Sequence, residues 1–324
     1  MAKKGPQQYP GASNKYRYDG KYPGSPMETN VIGWHSTEGI SVPGYRGGAD
    51  APNLTVAPDF KNRRAVWYQH HDFDSSSRAA VNMAGGVETN TANMCQVEIV
   101  GTCDPKHKTS WTISGRTYKA GVDYLYTPDL PDWFIEELAE FSAWAHIHHG
   151  VRLESKRPNG SKLVWKPYPS SYGRRDQNDV RLSNSEWGDF YGHCSHQHFP
   201  ENLHGDTGNM DIVTILSVAK DMVKAGNTPK PPATSPQPPK PKYEPFPGAS
   251  FFKDGRKSPI VKACRQRLIA MGCNKYESTT NQDVWGSGDE ASYAAWQRKC
   301  GFTGKGADGT PGKSSWDDLK VPNV

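Results

Sequence analysis

Four of the eleven histidines of this 324-residue chain lie within one short segment, at positions 193, 196, 198 and 204, and Asp206 closes the segment. Imidazole and carboxylate are good ligands for zinc. Proline, asparagine and glycine between the histidines predict a loop, which can bring His196 and Asp206 onto one ion. The segment therefore predicts a metal site rather than a loop of surface histidines.

A catalytic zinc site needs a third protein ligand and keeps one position for water. His35 is the best candidate, because it directly follows the apolar run 31–34, which predicts a strand. The end of a strand is a rigid position for a ligand. His193 is a competing ligand, but its thirteen-residue spacing to Asp206 fits less well. Non-haem iron oxygenases also use two histidines and a carboxylate. Their sites typically carry a His-x-Asp pair, which the run His196–His198 lacks, so zinc is favoured.

Strand-like and helix-like patterns surround these residues. Apolar runs at 31–34, 65–68 and 97–100 predict strands, and helical periodicity appears at 132–149 and 211–225. Strands mixed with helices indicate an α/β domain, with a mixed central sheet flanked by helices that position the zinc site.

A proline-rich stretch divides the chain. Residues 226–246 cannot form a helix or a central strand and predict an extended spacer. The spacer separates a catalytic domain, 1–225, from a second domain, 247–324. Helix signals at Ser258-Pro259, at Asp289 and at 314–319 predict that the second domain is a small three-helix unit.

The net charge of +5 is concentrated toward the C-terminus, where residues 247–324 carry 12 basic and 8 acidic side chains. A basic domain suits an anionic partner, which could be nucleic acid or the anionic polymers of an acidic cell wall. No recognised nucleic-acid-binding motif is present, so a nucleic-acid partner is not predicted.

Three classes of protein are disfavoured by other patterns. No run of about 18 apolar residues predicts a membrane span. The basic residues 1–8 are not followed by an apolar segment, so no secretory signal is expected. The six cysteines show no C-x-x-C pair, so we expect mostly free thiols rather than a zinc ribbon.

Over approximately residues 28–225 the sequence resembles the type 2 zinc N-acetylmuramoyl-L-alanine amidases, the family that includes the peptidoglycan recognition proteins. It looks most like endolysins of bacteriophages that infect actinobacteria. The His-x9-Asp spacing of the last matching segment is the most specific feature. The matching segments are Val31–Gly39, Gly85–Asn90, Gln96–Gly101 and His196–Gly208.

The resemblance implies a role for each site residue. His35, His196 and Asp206 would hold Zn²⁺, and Glu98 would be the general base. His204, two residues before the last ligand, would stabilise the transition state, although relatives often carry Lys or Thr there. A tyrosine that some relatives use on the second strand has no clear counterpart.

The implied reaction is hydrolysis of the amide bond between N-acetylmuramic acid and L-alanine in peptidoglycan. Residues 247–324 resemble a type 1 peptidoglycan-binding domain on the segments 261–268, 294–297 and 308–312. The absence of an export signal fits a phage enzyme that is made in the host cytoplasm and acts at the cell wall after release, causing lysis. Two alternatives use the same site: a non-catalytic peptidoglycan receptor, and a peptidase that cuts within the stem peptide.

Overall fold

The computed structural model describes residues 4–83, 86–90, 93–226 and 243–324. The chain folds into two compact units, Met1–Ser235 and Pro236–Val324. Most of the predicted spacer, together with Gly85 of one matching segment, lies outside the described residues. Among the described helices, none is long and apolar enough to cross a membrane.

The described part of the first unit contains nine strands. They are β1 (Val31–Ser36), β2 (Leu54–Asp59), β3 (Arg64–Gln69), β4 (Met94–Ile99), β5 (Gly101–Thr102), β6 (Ser110–Ile113), β7 (Arg116–Lys119), β8 (Leu125–Tyr126) and β9 (Gly192–Ser195). Five of them form a mixed sheet in the order β3-β2-β4-β1-β9. Strand β1 pairs in parallel with β4 and β9, β2 pairs in parallel with β4, and β2 and β3 form an antiparallel pair. Two small two-stranded sheets, β5-β8 and β6-β7, accompany it.

The two faces of the central sheet differ because successive side chains along a strand point to opposite sides. The register pairs His35 of β1 with Glu98 of β4, and Glu98 with Thr55 of β2, so these polar residues share one face. The other face is apolar and forms the main core. Its residues include Ile32, Trp34, Leu54, Val56, Trp67, Cys95, Val97 and Ile99.

Helices α2 (Asp132–His149) and α4 (Ile212–Lys224) contribute to this core. Gly150 ends α2 at a φ of 74°, a backbone conformation that glycine adopts without steric cost. The side chain of Asp211 accepts a hydrogen bond from the Thr214 amide and caps the start of α4. Two shorter α-helices of this unit are α1 (Tyr45–Gly48) and α3 (Asn184–Gly188).

The second unit contains the three predicted helices, α5 (Pro259–Ala270), α6 (Ser287–Lys299) and α7 (Lys313–Leu319). Ser258 caps α5, as its position before Pro259 predicts. Helix α6 begins at Ser287, two residues before the predicted start at Asp289. Asp289 is its third residue, and the Asp289 carboxylate accepts a hydrogen bond from the Gly286 amide at 3.0 Å, which caps the helix start. The core of this unit includes Val261, Cys264, Leu268, Trp285, Tyr293, Trp296, Trp316 and Leu319.

Two sequence expectations about local structure have clear outcomes. The six cysteines are free thiols, as expected. The loop predicted for the histidine-rich segment is wrong in part, because His193 lies within strand β9 and His196–His198 form a single 3₁₀ turn. The chain becomes irregular only after this turn.

Candidate metal centre

The structure brings together the three residues that the sequence predicts as ligands. His35 lies near the end of β1, His196 begins the turn after β9, and Asp206 follows in the irregular segment. One potential ligand atom from each lies within 4.8 Å of the other two, and all three side chains are buried. These residues could therefore hold a metal ion.

The orientation of the His35 ring is fixed by Gln96, two residues before Glu98 on β4. The Gln96 amide nitrogen donates to Ser77 Oγ and to Asn90 Oδ1, both at 2.8 Å. Its oxygen must therefore accept from His35 Nε2, at 3.0 Å. The proton sits on Nε2, and His35 Nδ1 presents a lone pair to the site.

Asn202 fixes the His196 ring in the same way. Its amide nitrogen donates to the Pro200 and Val81 carbonyls, and its oxygen accepts from the Val81 amide. The same oxygen lies 3.0 Å from His196 Nε2 and therefore accepts its proton. Such partners on the far ring nitrogen are typical of metal-binding histidines.

The two Nδ1 atoms face each other at 3.2 Å, and the Asp206 carboxylate faces both. It lies 3.2 Å from His196 Nδ1 and 3.6 Å from His35 Nδ1, and it also accepts the Ser36 amide at 3.1 Å. Two nitrogens bound to one tetrahedral zinc ion lie about 3.3 Å apart. The observed separation fits a shared ion.

The protonation states also suit metal binding. Burial, with the neighbouring His196, lowers the pKa of His35 to about 3, so this ring is neutral at pH 7. Burial opposes ionisation of Asp206, but contacts with His196, His35 and the Ser36 amide outweigh it and hold its pKa below the usual range. Neutral imidazole and ionised carboxylate are the forms that bind metals.

The site opens into a cleft of about 850 Å³, and Glu98 lies in its wall. Burial, and then the charges of Asp206 and Glu38, raise the pKa of Glu98 to about 8. A carboxyl group in this range can accept and return a proton near neutral pH. The predicted general base therefore lies in the same cleft as the predicted ligands.

Glu38 is a cleft residue to which sequence reasoning assigned no role. Its carboxylate accepts hydrogen bonds from the Ser36 and Thr102 hydroxyls and from the Cys103 amide. Burial, followed by the charge of Asp206, raises its pKa. The only sequence signal was its position three residues after His35.

His204 lies at the rim of the same cleft, largely exposed. Its ring stacks on His196, with centroids 5.3 Å apart, and its Nδ1 lies 3.9 Å from Asp206. His204 can therefore reach a molecule in the cleft. It does not belong to the three-residue ligand group.

His193 does not join the site, although it was the competing ligand candidate. It pairs in register with Ile32, so it points to the core face of the sheet, opposite to His35. Its Nδ1 accepts a hydrogen bond from Trp34 Nε1 at 3.2 Å. His198 is also structural, because its two ring nitrogens contact the Ser195 amide and the Val164 carbonyl at 2.9 Å.

Arg181 holds the irregular segment in place and was missed from the sequence. It is fully buried and donates to the carbonyls of His196 and Phe199 at 2.9 Å and of His204 at 2.6 Å. A single guanidinium thus links the turn that begins at His196 to the segment that leads to Asp206. Nothing in the local spacing of residues signals this long-range role.

The chain matches no protein-family model, and no curated protein matches it. The identity of the metal and the reaction must therefore be argued from the chemistry of these residues.

Proposed function

We propose that the first unit is a zinc-dependent N-acetylmuramoyl-L-alanine amidase, and that the second unit holds it on the bacterial cell wall. The observation that carries the proposal is the arrangement of His35, His196 and Asp206 beside Glu98 in one open cleft. Three ligands that leave one side accessible suit a catalytic site, because structural zinc sites usually have four protein ligands.

Zinc is the proposed metal because two imidazoles and one carboxylate match its catalytic ligand sets. When bound here, a zinc ion would supply a Lewis acid and make a nucleophilic water available near pH 7. Gln96 and Asn202 would favour its binding, because their bonds to Nε2 leave the Nδ1 lone pair of each ring free to bind an ion.

Two side chains of the cleft carry out proton transfer and stabilisation of the transition state. Glu98 takes the proton of the attacking water and passes it to the nitrogen of the leaving L-alanine. His204, at the rim, donates a hydrogen bond to the oxygen on which negative charge develops. Removal of one such donor typically costs about 10²–10³ in rate.

Peptidoglycan is the proposed substrate because of the resemblance of residues 28–225 to type 2 amidases. The lining of the cleft supports it. Trp111, Tyr168 and Tyr172 provide ring surface, and Arg78 provides positive charge. A sugar that carries an acidic peptide presents both apolar ring faces and carboxylates. In this proposal the chain is a phage endolysin that acts at the host wall and causes lysis.

Two other functions would use the same fold or site. A non-catalytic receptor would bind the wall without cutting it, and the retention of all three ligands together with Glu98 argues against this function. A stem-peptide endopeptidase would cut a different amide bond with the same metal. The bond that is cut decides between it and the amidase.

The test is a product analysis on purified peptidoglycan. We expect the wild-type protein to expose new N-terminal L-alanine and muramic acid free of peptide, and Glu98→Gln to release neither. New amino termini of other residues would instead show an endopeptidase. Wall binding without new termini would show a receptor.

A further inference from the structure

Arg78 is an exposed arginine in the wall of the cleft, and its guanidinium is oriented without an acidic partner. Its Nε donates to the Ala49 carbonyl at 3.0 Å, and the guanidinium lies over the Tyr22 ring, 5.4 Å from the centroid. Among the described residues, no carboxylate oxygen lies within 4.0 Å of it, whereas Arg46 in the same wall has Asp50 as its partner. The two outer nitrogens of Arg78 therefore remain available to an anionic group in the cleft.

The segment that carries Arg78 is bonded to both residues that orient the histidine ligands. Ser77 Oγ accepts a hydrogen bond from the Gln96 amide nitrogen at 2.8 Å. The Val81 amide and carbonyl are bonded to the Asn202 side chain at 2.9 and 3.3 Å. Arg78 lies between these two anchors, so its backbone is held in a defined position relative to the candidate metal ligands.

The charges of the cleft distinguish Arg78 from the rest of the wall. The described lining contains two arginines, and Arg46 donates to both carboxylate oxygens of Asp50. Away from the metal centre, an anionic part of a ligand would be repelled by the other acidic side chains and attracted by Arg78. The acidic side chains of the described lining are Glu38, Asp50, Glu98, Asp104 and Asp206.

A second cavity, of about 510 Å³, adjoins the cleft at Arg78. The two cavities have Arg46, Asp50, Arg78 and Ala80 in common. The second cavity offers space for a chain that continues past Arg78. Its wall also contains hydroxyl and amide groups, which can bond to a peptide backbone, on residues that include Ser25, Ser76, Asn82 and Asn90.

The substrate of the proposed reaction carries its charge on one side of the scissile bond. The lactyl carboxyl group of N-acetylmuramic acid is consumed in that amide, so the muramic acid residue is uncharged. The nearest carboxylate is the α-carboxylate of the second stem-peptide residue, a glutamate that continues the chain through its side chain. In some walls this α-carboxylate is converted to an amide, which removes the charge.

We propose that Arg78 binds the α-carboxylate of the second stem-peptide residue, and that the peptide continues past Arg78 toward the second cavity. Arg78 then makes the protein prefer acidic stem peptides to amidated ones. The naming of a muramoyl peptide as the ligand rests on the proposed function. The availability of the Arg78 guanidinium for a carboxylate does not.

The experiment measures binding by calorimetry on the full chain with added zinc, in a Glu98→Gln background that is expected to bind without hydrolysis. One ligand is N-acetylmuramoyl-L-alanyl-D-glutamine, whose only charge is its α-carboxylate. The other is the C-terminal amide of the same compound, which is uncharged. We expect the acid to bind about fivefold more tightly or better, because only the acid pairs with Arg78. Equal affinities would overturn the proposal.

Arg78→Gln in the same background should bind the acid and the amide equally. Arg63→Gln, a matched loss of charge at an exposed position between β2 and β3, should keep the preference for the acid. If Arg78→Gln does not fold, Arg78→Lys replaces it and should show a smaller preference, because lysine cannot form a bidentate pair. A full preference in the folded Arg78 variant, or its loss in Arg63→Gln, would assign the carboxylate to another group and overturn the proposal.

Hydrolysis of the same two compounds by the wild type separates this inference from the amidase proposal. Equal values of kcat/KM for the acid and the amide would refute the role of Arg78 and leave the amidase proposal standing. Hydrolysis of neither compound, together with an Arg78-dependent preference for the acid in binding, would do the reverse.

Discussion

The Nδ1 atoms of His35 and His196 lie 3.2 Å apart with their lone pairs directed at each other, because the Nε2 atom of each ring is bonded to a side-chain amide oxygen. Two facing lone pairs at this distance repel unless a cation lies between them. The Asp206 carboxylate beside them adds negative charge. The three groups are therefore arranged to hold a cation between them.

Metal binding is expected to stabilise the first unit. Zinc at about 100 times its dissociation constant should add about 2.7 kcal/mol to the free energy of unfolding. His196→Ala should show no such gain. Thermal unfolding of chelator-treated protein, with and without added zinc, measures both. An equal gain in the variant would place the stabilising ion elsewhere.

Asn202→Ala should weaken zinc binding about 10–100-fold, because the variant no longer fixes the His196 ring. Asn184→Ala, at an exposed position, is the matched control and should bind zinc as the wild type does. Competition with a chromophoric chelator gives the affinities. An unchanged zinc affinity in folded Asn202→Ala would mean that the hydrogen bond between Asn202 and His196 does not contribute to metal binding.

The sequence predicted the three residues that could hold a metal ion, but not the residues that orient them. Gln96 was within reach of sequence reasoning, since it stands two residues before Glu98 and alternation places both on one face of β4. Asn202 and Arg181 were not, because their partners are backbone groups that only the tertiary fold brings close. His193 stayed a competing candidate because it is close in sequence, and only the pleat of β9, which turns it to the other face, excludes it.

Glu98→Gln should lower hydrolysis about 10²–10⁴-fold, because it removes the proposed proton acceptor. The same change should stabilise the metal-free protein. The pKa of Glu98 is raised to about 8 in the fold, so its ionisation above the unfolded value near 4.3 costs stability that glutamine avoids. The gain should grow from pH 5 to pH 8 and reach roughly 1–3 kcal/mol.

Urea unfolding of chelator-treated protein across this pH range measures the gain. Glu136→Gln, an exposed change on α2, is the control and should alter neither activity nor stability. A Glu98→Gln variant that is fully active would remove this residue from the mechanism.

Asp74, which is not part of the candidate metal centre, should make the fold acid-sensitive. Burial opposes its ionisation, but His149, Gln7 and the Lys4 amide outweigh burial and lower its pKa to about 2. Its stabilising contribution is therefore present above the unfolded pKa near 3.9 and is lost as pH falls toward 2. Asp74→Asn should cost about 1–3 kcal/mol at pH 7 and almost nothing at pH 2.

Denaturant unfolding at pH 7 and at pH 2 measures the stability of Asp74→Asn and of Asp221→Asn, an exposed control on α4. A destabilisation by Asp74→Asn that does not change with pH would show that its charge is not what matters.

Secondary structure was more predictable where the signal lies within the segment itself. Helix α2 shows helical periodicity and a glycine stop, and its predicted bounds are those of the structure. Strand β2 was missed because Pro58 interrupts its apolar run. The proline is tolerated because β2 pairs with β4 only as far as Val56, so the Pro58 position has β3 alone as its partner. Strand β9 has only four residues, and its pairing with β1 is a long-range contact.

The most direct test compares two buried histidines that lie three residues apart. Zinc content and release of N-terminal L-alanine from peptidoglycan are measured for the wild type, His196→Ala and His193→Gln. We expect about one zinc per chain and hydrolysis in the wild type and in His193→Gln, and neither in His196→Ala. A His196→Ala protein that keeps its zinc and its activity, or a folded His193→Gln protein that loses both, would show that His196 does not hold a catalytic metal.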